Sequence, residues 1–250
     1  MTANGPARGR VSVCMATFNG ARFVHEQIAS IIEQLAPNDE IVIVDDASTD
    51  DTREVIAAID DSRVRLHAQP MNVGYVRAFE RALQLASGDI LLLSDQDDVW
   101  TRDRLARMCV ALESSSVVAG NYSVLGASGE PARRPLLASR FDDSPRRNEI
   151  GILVGYRPYF GCAMGLTRQA LSAVLPIPRY FFESHDLWLA LVGNELRSLH
   201  HLDAPVVTRR LHESNVTPLG WRSLRSIVRA RIMLFRGLLD ARRRARARVG

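Results

Sequence analysis

The chain alternates between short apolar runs and amphipathic stretches. Residues 11–16 are apolar and rich in β-branched side chains; after Thr17-Phe18-Asn19-Gly20, Phe23, Ile28, Ile31, Ile32 and Leu35 recur at helical spacing. This predicts a strand over 11–16, a loop, and a helix over 22–35. The order repeats, with strands predicted over 40–44, 64–68, 89–93 and 117–120 and helices over 49–59, 74–86 and 102–112. Near-continuous apolar strands separated by helices predict an α/β fold, a mostly parallel central sheet with helices on both faces. Residues 121–147 turn to Gly, Ser, Pro and Arg, which predicts a surface loop or flap without core. The run Gly161-Cys162-Ala163-Met164-Gly165-Leu166 then reads as a buried strand of small residues, and a helix is expected over 184–196.

Length and composition add limits. At 250 residues and 46% hydrophobic content the chain can bury one large core. No apolar run approaches the ~20 residues of a bilayer span, and residues 1–10 lack the apolar segment of a signal peptide, so a cytoplasmic location is expected. Cys14, Cys109 and Cys162 are far apart and odd in number, which suggests reduced, buried thiols.

All 32 basic residues are Arg, and ten of them lie between Arg222 and Arg248, where Asp240 is the only acid. That tail carries +9, so the overall +4 leaves −5 for residues 1–220. The high positive charge belongs to the tail, and a nucleic-acid-binding body is not supported. Trp221, Leu224, Val228, Phe235 and Leu238 share one face of a predicted helix, with Arg222, Arg225, Arg229 and Arg236 around it. Such a basic amphipathic helix suits an anionic membrane surface; the alternative is that it packs on the body and its end is solvated.

In a parallel sheet, ligands bind outside the carboxyl ends of the strands. Three polar motifs fall there: Thr17-Phe18-Asn19, Asp45-Asp46-Ala47-Ser48-Thr49-Asp50 and Asp95-Gln96-Asp97-Asp98. The last puts three carboxylates within four positions at the end of an apolar strand. They stay ionised together only if solvated or if a cation sits among them, which points to a hard divalent metal and a diphosphate-bearing substrate. Each motif also has a plainer reading: Asn19-Gly20 as a turn, Ser48 or Thr49 as a helix start, Asp98 as a cap for a helix beginning near Thr101, and Asp186 as a stabilising first-turn acid.

The order and spacing of these motifs resemble the family 2 glycosyltransferases, with their nucleotide-diphospho-sugar-binding GT-A fold. The resemblance runs from Val11 to about Pro218. It implies a catalytic domain over 1–220, with a nucleotide half over about 10–120 and an acceptor half over about 150–218, followed by the basic helix over 221–250. It implies that Thr17, Phe18 and Asn19 meet the nucleotide, with Phe18 on the base. Asp45-Asp46-Ala47-Ser48-Thr49-Asp50 looks like Asp-Asp-x-Ser-x-Asp, in which Asp46 accepts from the base edge, and Asn72-Val73-Gly74 looks like the Asn-x-Gly that completes the pocket.

Asp95-Gln96-Asp97 matches Asp-x-Asp, with Asp97 toward the metal, Mg2+ or Mn2+, and Asp95 toward metal or ribose. His185-Asp186-Leu187-Trp188 is similar to His-Asp-Trp-Trp, whose aspartate is the general base of an inverting displacement. Arg209-Arg210-Leu211-His212-Glu213-Ser214-Asn215 resembles Tyr-Arg-x-His-x-x-Asn, placing Arg210 on diphosphate and His212 near metal or diphosphate; Arg209 and Leu211 depart from the common Tyr and Gln.

The combination looks most like bacterial rhamnosyltransferase-like members that build cell-surface polysaccharide. The implied donor is dTDP-rhamnose or a UDP-hexose, and the implied acceptor a glycan or lipid-linked hydroxyl. The competing readings are a non-catalytic nucleotide-sugar-binding scaffold and a sugar nucleotidyltransferase. The second needs a Gly-rich loop with Arg and Lys after the first strand, and this chain has neither the loop nor any Lys. No Gly-x-Gly-x-x-Gly follows the first strand, against a dinucleotide-binding oxidoreductase.

Overall fold

The first four long strands, β1 (Val11–Thr17), β2 (Glu40–Asp45), β3 (Val64–Ala68) and β4 (Ile90–Ser94), run parallel in the order β3-β2-β1-β4. In the computed structural model, which describes residues 8–124, 136–210 and 223–248, the sheet continues through β7 (Met164–Thr167), β6 (Val117–Val124), β8 (Leu199–Arg209) and β5 (Val99–Trp100). β7 is antiparallel to both β4 and β6, β8 is parallel to β6, and β5 is antiparallel to β8. Six of the eight described strands therefore point the same way, giving the mostly parallel sheet that the apolar runs predict.

Alternation along the strands splits the core into two layers. Leu91 and Leu93 of β4 face one side with Val42 and Val44, while Leu92 faces the other with Ile41 and Ile43. The first face is covered by α3 (Tyr75–Leu85), α7 (His185–Glu195) and part of α8 (Leu224–Arg246), through Phe79, Leu83, Trp188 and Leu234. The second is covered by α1 (Val24–Ile32), α2 (Thr52–Ala57) and α4 (Arg104–Ser114), through Ile28, Ile56 and Met108. Each such fully buried side chain contributes about 1.5–3 kcal/mol.

Several elements differ from the sequence expectation. The stretch expected as one strand over 161–166 is a 3-10 turn, Gly161–Ala163, followed by β7. Part of the segment expected as a coreless loop over 121–147 is ordered: Asn121 to Val124 extend β6, and Leu137 is buried in the core. The helix α5 (Pro145–Val154) begins within it, and α6 (Arg168–Val174) and β8 add to the elements. The helix expected to begin near Thr101 starts at Arg104, with Asp103 at its N-cap position, so Asp98 does not cap it.

The tail helix presents two faces. Met233, Leu234, Leu238 and Ala241 are buried against the body, whereas Leu224, Val228 and Phe235 are exposed. The single apolar face drawn from sequence thus divides, with Leu238 in the core; Trp221 lies outside the described residues. Arginines of α8 also turn inward, Arg242 to Glu195 at 2.8 Å and Arg244 to the carbonyl oxygens of Ala173 and Val174 at 3.0 Å. Among the described residues no helix is long and apolar enough to cross a membrane.

Candidate active site

Strand register sets the site. Thr17 is opposite Asp45, and Met15 is opposite Ser94, so the loops after β1, β2 and β4 leave the sheet at one rim. Beyond Ser94 the chain turns through Asp95, Gln96, Asp97 and Asp98 into β5. The buried Gln27 of α1 clamps this turn, donating to Asp95 O at 3.0 Å and to Ser94 Oγ, which also accepts from Trp100 Nε1 at 3.2 Å. Gln96 joins it to the first loop, accepting from Phe18 N at 2.9 Å and donating to Phe18 O at 3.0 Å.

The carboxylate that this turn drives inward is Asp98, only 2% exposed. Its Oδ1 accepts from Arg210 N at 3.2 Å, and its Oδ2 is buried without a hydrogen-bond partner among the described residues. Ligand atoms of Asp95, Asp98 and Cys162 all lie within 4.8 Å of one another. Burial raises the pKa of both Asp95 and Asp98, and repulsion among Asp95, Asp97 and Asp98 raises it further, while Arg209 opposes the shift. Asp95 and Asp98 are placed to hold a divalent cation: an orphaned buried oxygen and two mutually repelling carboxylates are what such an ion relieves. Burial keeps Cys162 a neutral thiol, so it walls the cluster, a hard ion preferring oxygen.

Two cations flank the cluster. Arg209, at the end of β8, lies over the rings of Tyr122 and Phe160 at 5.1 and 4.9 Å, and its charge is favoured by Asp98 and Asp95. Arg104 is fully buried over Trp100 at 4.2 Å and donates to Leu93 O at 2.7 Å; burial lowers its pKa to about 10.

The second half of the site is the N-terminus of α7. Ser184 occupies the left-handed region at φ 61, a conformation costing about 1–2 kcal/mol in a non-glycine residue, and its N–H donates to Tyr75 Oη at 2.8 Å. His185 is stacked on Phe79 at 4.3 Å, with Tyr75 edge-on at 5.6 Å. Neither ring nitrogen has a partner among the described residues, and burial lowers the pKa to about 3, so the ring is neutral packing. Gly161 lets it fit, since a Cβ there would lie 2.4 Å from His185 Nε2. Asp186 follows, half-buried, accepting from Leu187 N at 2.8 Å; burial raises its pKa to about 6. Its charge also bears on Asp95 and Tyr75, which joins the two halves.

Phe18 is 44% exposed at the rim. Thr17 Oγ1 donates to Asp45 Oδ2 at 3.0 Å, and the fully buried Asp45 also accepts from Ser48 N at 3.0 Å. Asn19 ties two loops, its Oδ1 accepting from Thr49 N at 2.9 Å. Asp46, expected at the base edge, accepts from Val73 N and Gly74 N at 2.8 Å each, so it holds the Asn72-Val73-Gly74 turn. Gly74 sits at φ 87, where a side chain would be strained, and Asn72 Oδ1 accepts from its N–H at 3.2 Å.

Arg210, expected on diphosphate, pairs with Glu26 at 2.6 Å and lies over Phe23 at 5.1 Å; Arg209 is the one facing the carboxylates. Asp97, expected toward the metal, is not in the cluster that Asp98 joins. His212 lies outside the described residues. Sequence reading missed the inward turn of Asp98, although the third carboxylate of the run was its signal. It also missed Arg209, one position from the residue chosen; Cys162, Arg104 and Tyr75 carried no local signal.

This architecture is that of the GT-A glycosyltransferases, and solved structures with that fold superpose on it. Staphylococcus aureus TarS, residues 1-349 in complex with UDP-GlcNAc, matches with a TM-score of 0.70 over 92% of this chain and 66% of its own, at 17% identity. Glucosyl-3-phosphoglycerate synthase from Mycobacterium tuberculosis, in complex with Mn2+, UDP and phosphoglyceric acid, matches with a TM-score of 0.61 over 93% of this chain and 78% of its own, at 19% identity.

Residues 12–174 match the family described as Glycosyl transferase family 2, and the chain belongs to that family. It is 31% identical over 217 residues to the Escherichia coli UDP-Glc:alpha-D-GlcNAc-diphosphoundecaprenol beta-1,3-glucosyltransferase WfgD, covering 86% of this chain and 82% of WfgD. TuaG of Bacillus subtilis (strain 168), named for teichuronic acid biosynthesis, is 29% identical over 57% of this chain; the matched region spans 60% of TuaG.

Proposed function

We propose that the chain is an inverting, metal-dependent glycosyltransferase that moves a sugar from a nucleotide-diphosphate donor to a hydroxyl of a glycan or lipid-linked acceptor, in cell-surface polysaccharide synthesis. The observation that carries this reading is the pairing of two carboxylate environments across one rim. Asp95 and Asp98 crowd beside Arg209, and Asp186, whose charge acts on Asp95, stands at a helix N-terminus with its pKa raised to about 6. A base tuned close to the working pH is suited to removing a hydroxyl proton.

In this reading the donor base stacks on the exposed Phe18 ring. Thr17, Asn19, Asp45, Asp46, Asn72 and Gly74 shape the nucleotide pocket, mainly by fixing its loops. Asp95 and Asp98, with Asp97 and His212 as the further expected ligands, would hold Mg2+ or Mn2+, which when bound would supply positive charge for the departing diphosphate. Arg209 and Arg210 add positive charge for the same group. Asp186 accepts the acceptor's O–H proton while that oxygen bonds to sugar C1; the C1–O bond to diphosphate breaks on the opposite face, and the nucleoside diphosphate leaves with the electron pair. Single displacement inverts the anomeric centre.

The names of WfgD and of its E. coli counterpart WfaP, 32% identical over 75% of this chain, both carry UDP-Glc. That supports a UDP-hexose ahead of dTDP-rhamnose. The exposed apolar and arginine-rich surface of α8 supports a peripheral position on the cytoplasmic face of a membrane beside a lipid-linked acceptor. The test is transfer from labelled UDP-glucose, with the anomeric configuration of the product read by NMR, beside Asp186→Asn. The expected result is an inverted product from the wild type, and a variant that binds donor normally but does not transfer. Equal transfer by the variant would refute the base assignment, and donor binding without turnover in the wild type would favour a scaffold.

A further inference from the structure

Away from the strand-end rim, a cavity of about 850 Å³ opens between α5 and the segment before it. Three arginines converge there on one ring: the guanidinium carbons of Arg140, Arg147 and Arg157 lie 4.9, 4.8 and 3.8 Å from the Phe141 centroid. Arg157 is only 7% exposed, and its Nε has no hydrogen-bond partner among the described residues. The nearby acids balance this charge only in part, Asp203 offsetting Arg140. Asp142 is turned to His200 and His201, at 2.7 and 2.6 Å, and Asp203, on the cavity wall, accepts from Ser139 N at 3.2 Å. Two exposed arginines beside a third whose buried Nε is unpaired form a site that an anion completes.

The rest of the wall is apolar. Leu136, Ile150, Val154 and Tyr156 line the same cavity and are 46–64% exposed. Arg231 of α8 donates to the carbonyl oxygens of Ile152 and Val154 at the end of α5, at 3.3 and 3.1 Å. Val228 and Phe235, three residues before and four after it, share its face of the helix and are 57% and 55% exposed. The apolar wall thus continues along α8.

We propose that this cavity binds the phosphate or diphosphate group of a lipid, with the anion held by Arg140, Arg147 and Arg157 and the hydrocarbon laid over Ile150, Val154 and the exposed side of α8. A free phosphate or a sugar would use the arginines and leave the apolar wall in water; a neutral lipid would leave Arg157 unpaired. The site also lies near the chemistry. Three residues separate Arg157 from Gly161, which abuts His185, the neighbour of Asp186, so the Cα atoms of Arg157 and Gly161 are at most ~14 Å apart. Attributing the lipid phosphate to the acceptor rests on the transferase reading above; the site itself does not depend on turnover.

The test is calorimetric titration of the full chain, in EDTA, with farnesyl diphosphate, inorganic diphosphate and farnesol. Farnesyl diphosphate is expected to bind at least about tenfold more tightly than inorganic diphosphate, and farnesol not at all. The double variant R140Q/R147Q alters two exposed side chains and is expected to weaken farnesyl diphosphate by about tenfold or more, with thermal stabilisation by UDP and Mn2+ unchanged. Equal binding of the two diphosphates would overturn the lipid assignment, and binding indifferent to R140Q/R147Q, or absent, would overturn the site. A dimer whose dissociation uncovers the cavity would assign this face to a second copy of the chain and also overturn the proposal. Loss of the UDP response in the wild type would instead count against the transferase reading alone.

Discussion

Asp186→Asn is expected to make the protein more stable while removing its transfer activity. Burial raises the Asp186 pKa from 3.8 to about 6, so the folded state disfavours its charge. A carboxyl raised in this way favours folding while it is protonated, and that advantage is lost as pH climbs from the unfolded value through the folded one. At pH 7.5 the ionised carboxylate therefore opposes folding by the full shift. Two units at about 1.4 kcal/mol each give about 3 kcal/mol, and the partial exposure of the side chain reduces this to about 1.5–3 kcal/mol. The amide keeps the oxygen that accepts from Leu187 N and carries no charge. For a chain of this length the gain is a rise in Tm of about 3–12 °C.

The assay is thermal unfolding of wild type and variant at pH 7.5 and pH 4.0 without metal. The difference should be large at the first pH and several-fold smaller at the second, where the folded carboxyl is neutral. A variant less stable at pH 7.5, or an equal difference at both, would refute the argument that desolvation tunes this carboxylate. Stability gained with activity lost is what a group held for chemistry leaves behind.

Three further outcomes are expected. Because Asp186 works as a base only when deprotonated, kcat/KM should rise with pH up to about 6 and level off above it; a flat profile from pH 5 to 8 would exclude it as the base. Because Asp95 and Asp98 both have raised pKa values, metal binding displaces protons from them, so Mn2+ affinity should strengthen from pH 6 to pH 8; calorimetry in buffers of different ionisation enthalpy would read the proton release, and its absence would contradict the cluster. Gly161→Ala forces a Cβ into the His185 ring and shifts the start of α7, so kcat should fall by about 10²-fold with a loss of about 1–3 kcal/mol of stability; an unchanged kcat would show that the position of Asp186 is not held this way.

What could be read from the sequence was whatever the chain encodes locally. Strands β1, β2 and β4 are buried on both faces and so appear as apolar runs, whereas the edge strand β3 is only partly buried; the ends of all four match those expected to within a residue. The motifs at their ends were visible because polar residues there interrupt the apolar pattern. The second half of the chain was poorly legible because its elements depend on distant partners. β5 is two residues long and exists by pairing with β8, more than 100 residues away, and Asn121 is held by the carbonyl oxygens of Leu137, Leu202 and Asp203. The inward turn of Asp98 has the same cause, since β5 carries the chain away from the helix start that local propensity suggests. Arg209 and Arg210 are adjacent in sequence, and only the register of β8 decides which one meets the carboxylates.

The most direct test of the central claim is thermal stabilisation of the purified protein by UDP, dTDP and GDP, each with Mn2+, Mg2+ or EDTA, beside Asp98→Asn. The account predicts selective stabilisation by UDP with a divalent metal, abolished by EDTA and by the substitution. The absence of a shift with every nucleotide and metal would contradict a metal-nucleotide site at the ends of these strands.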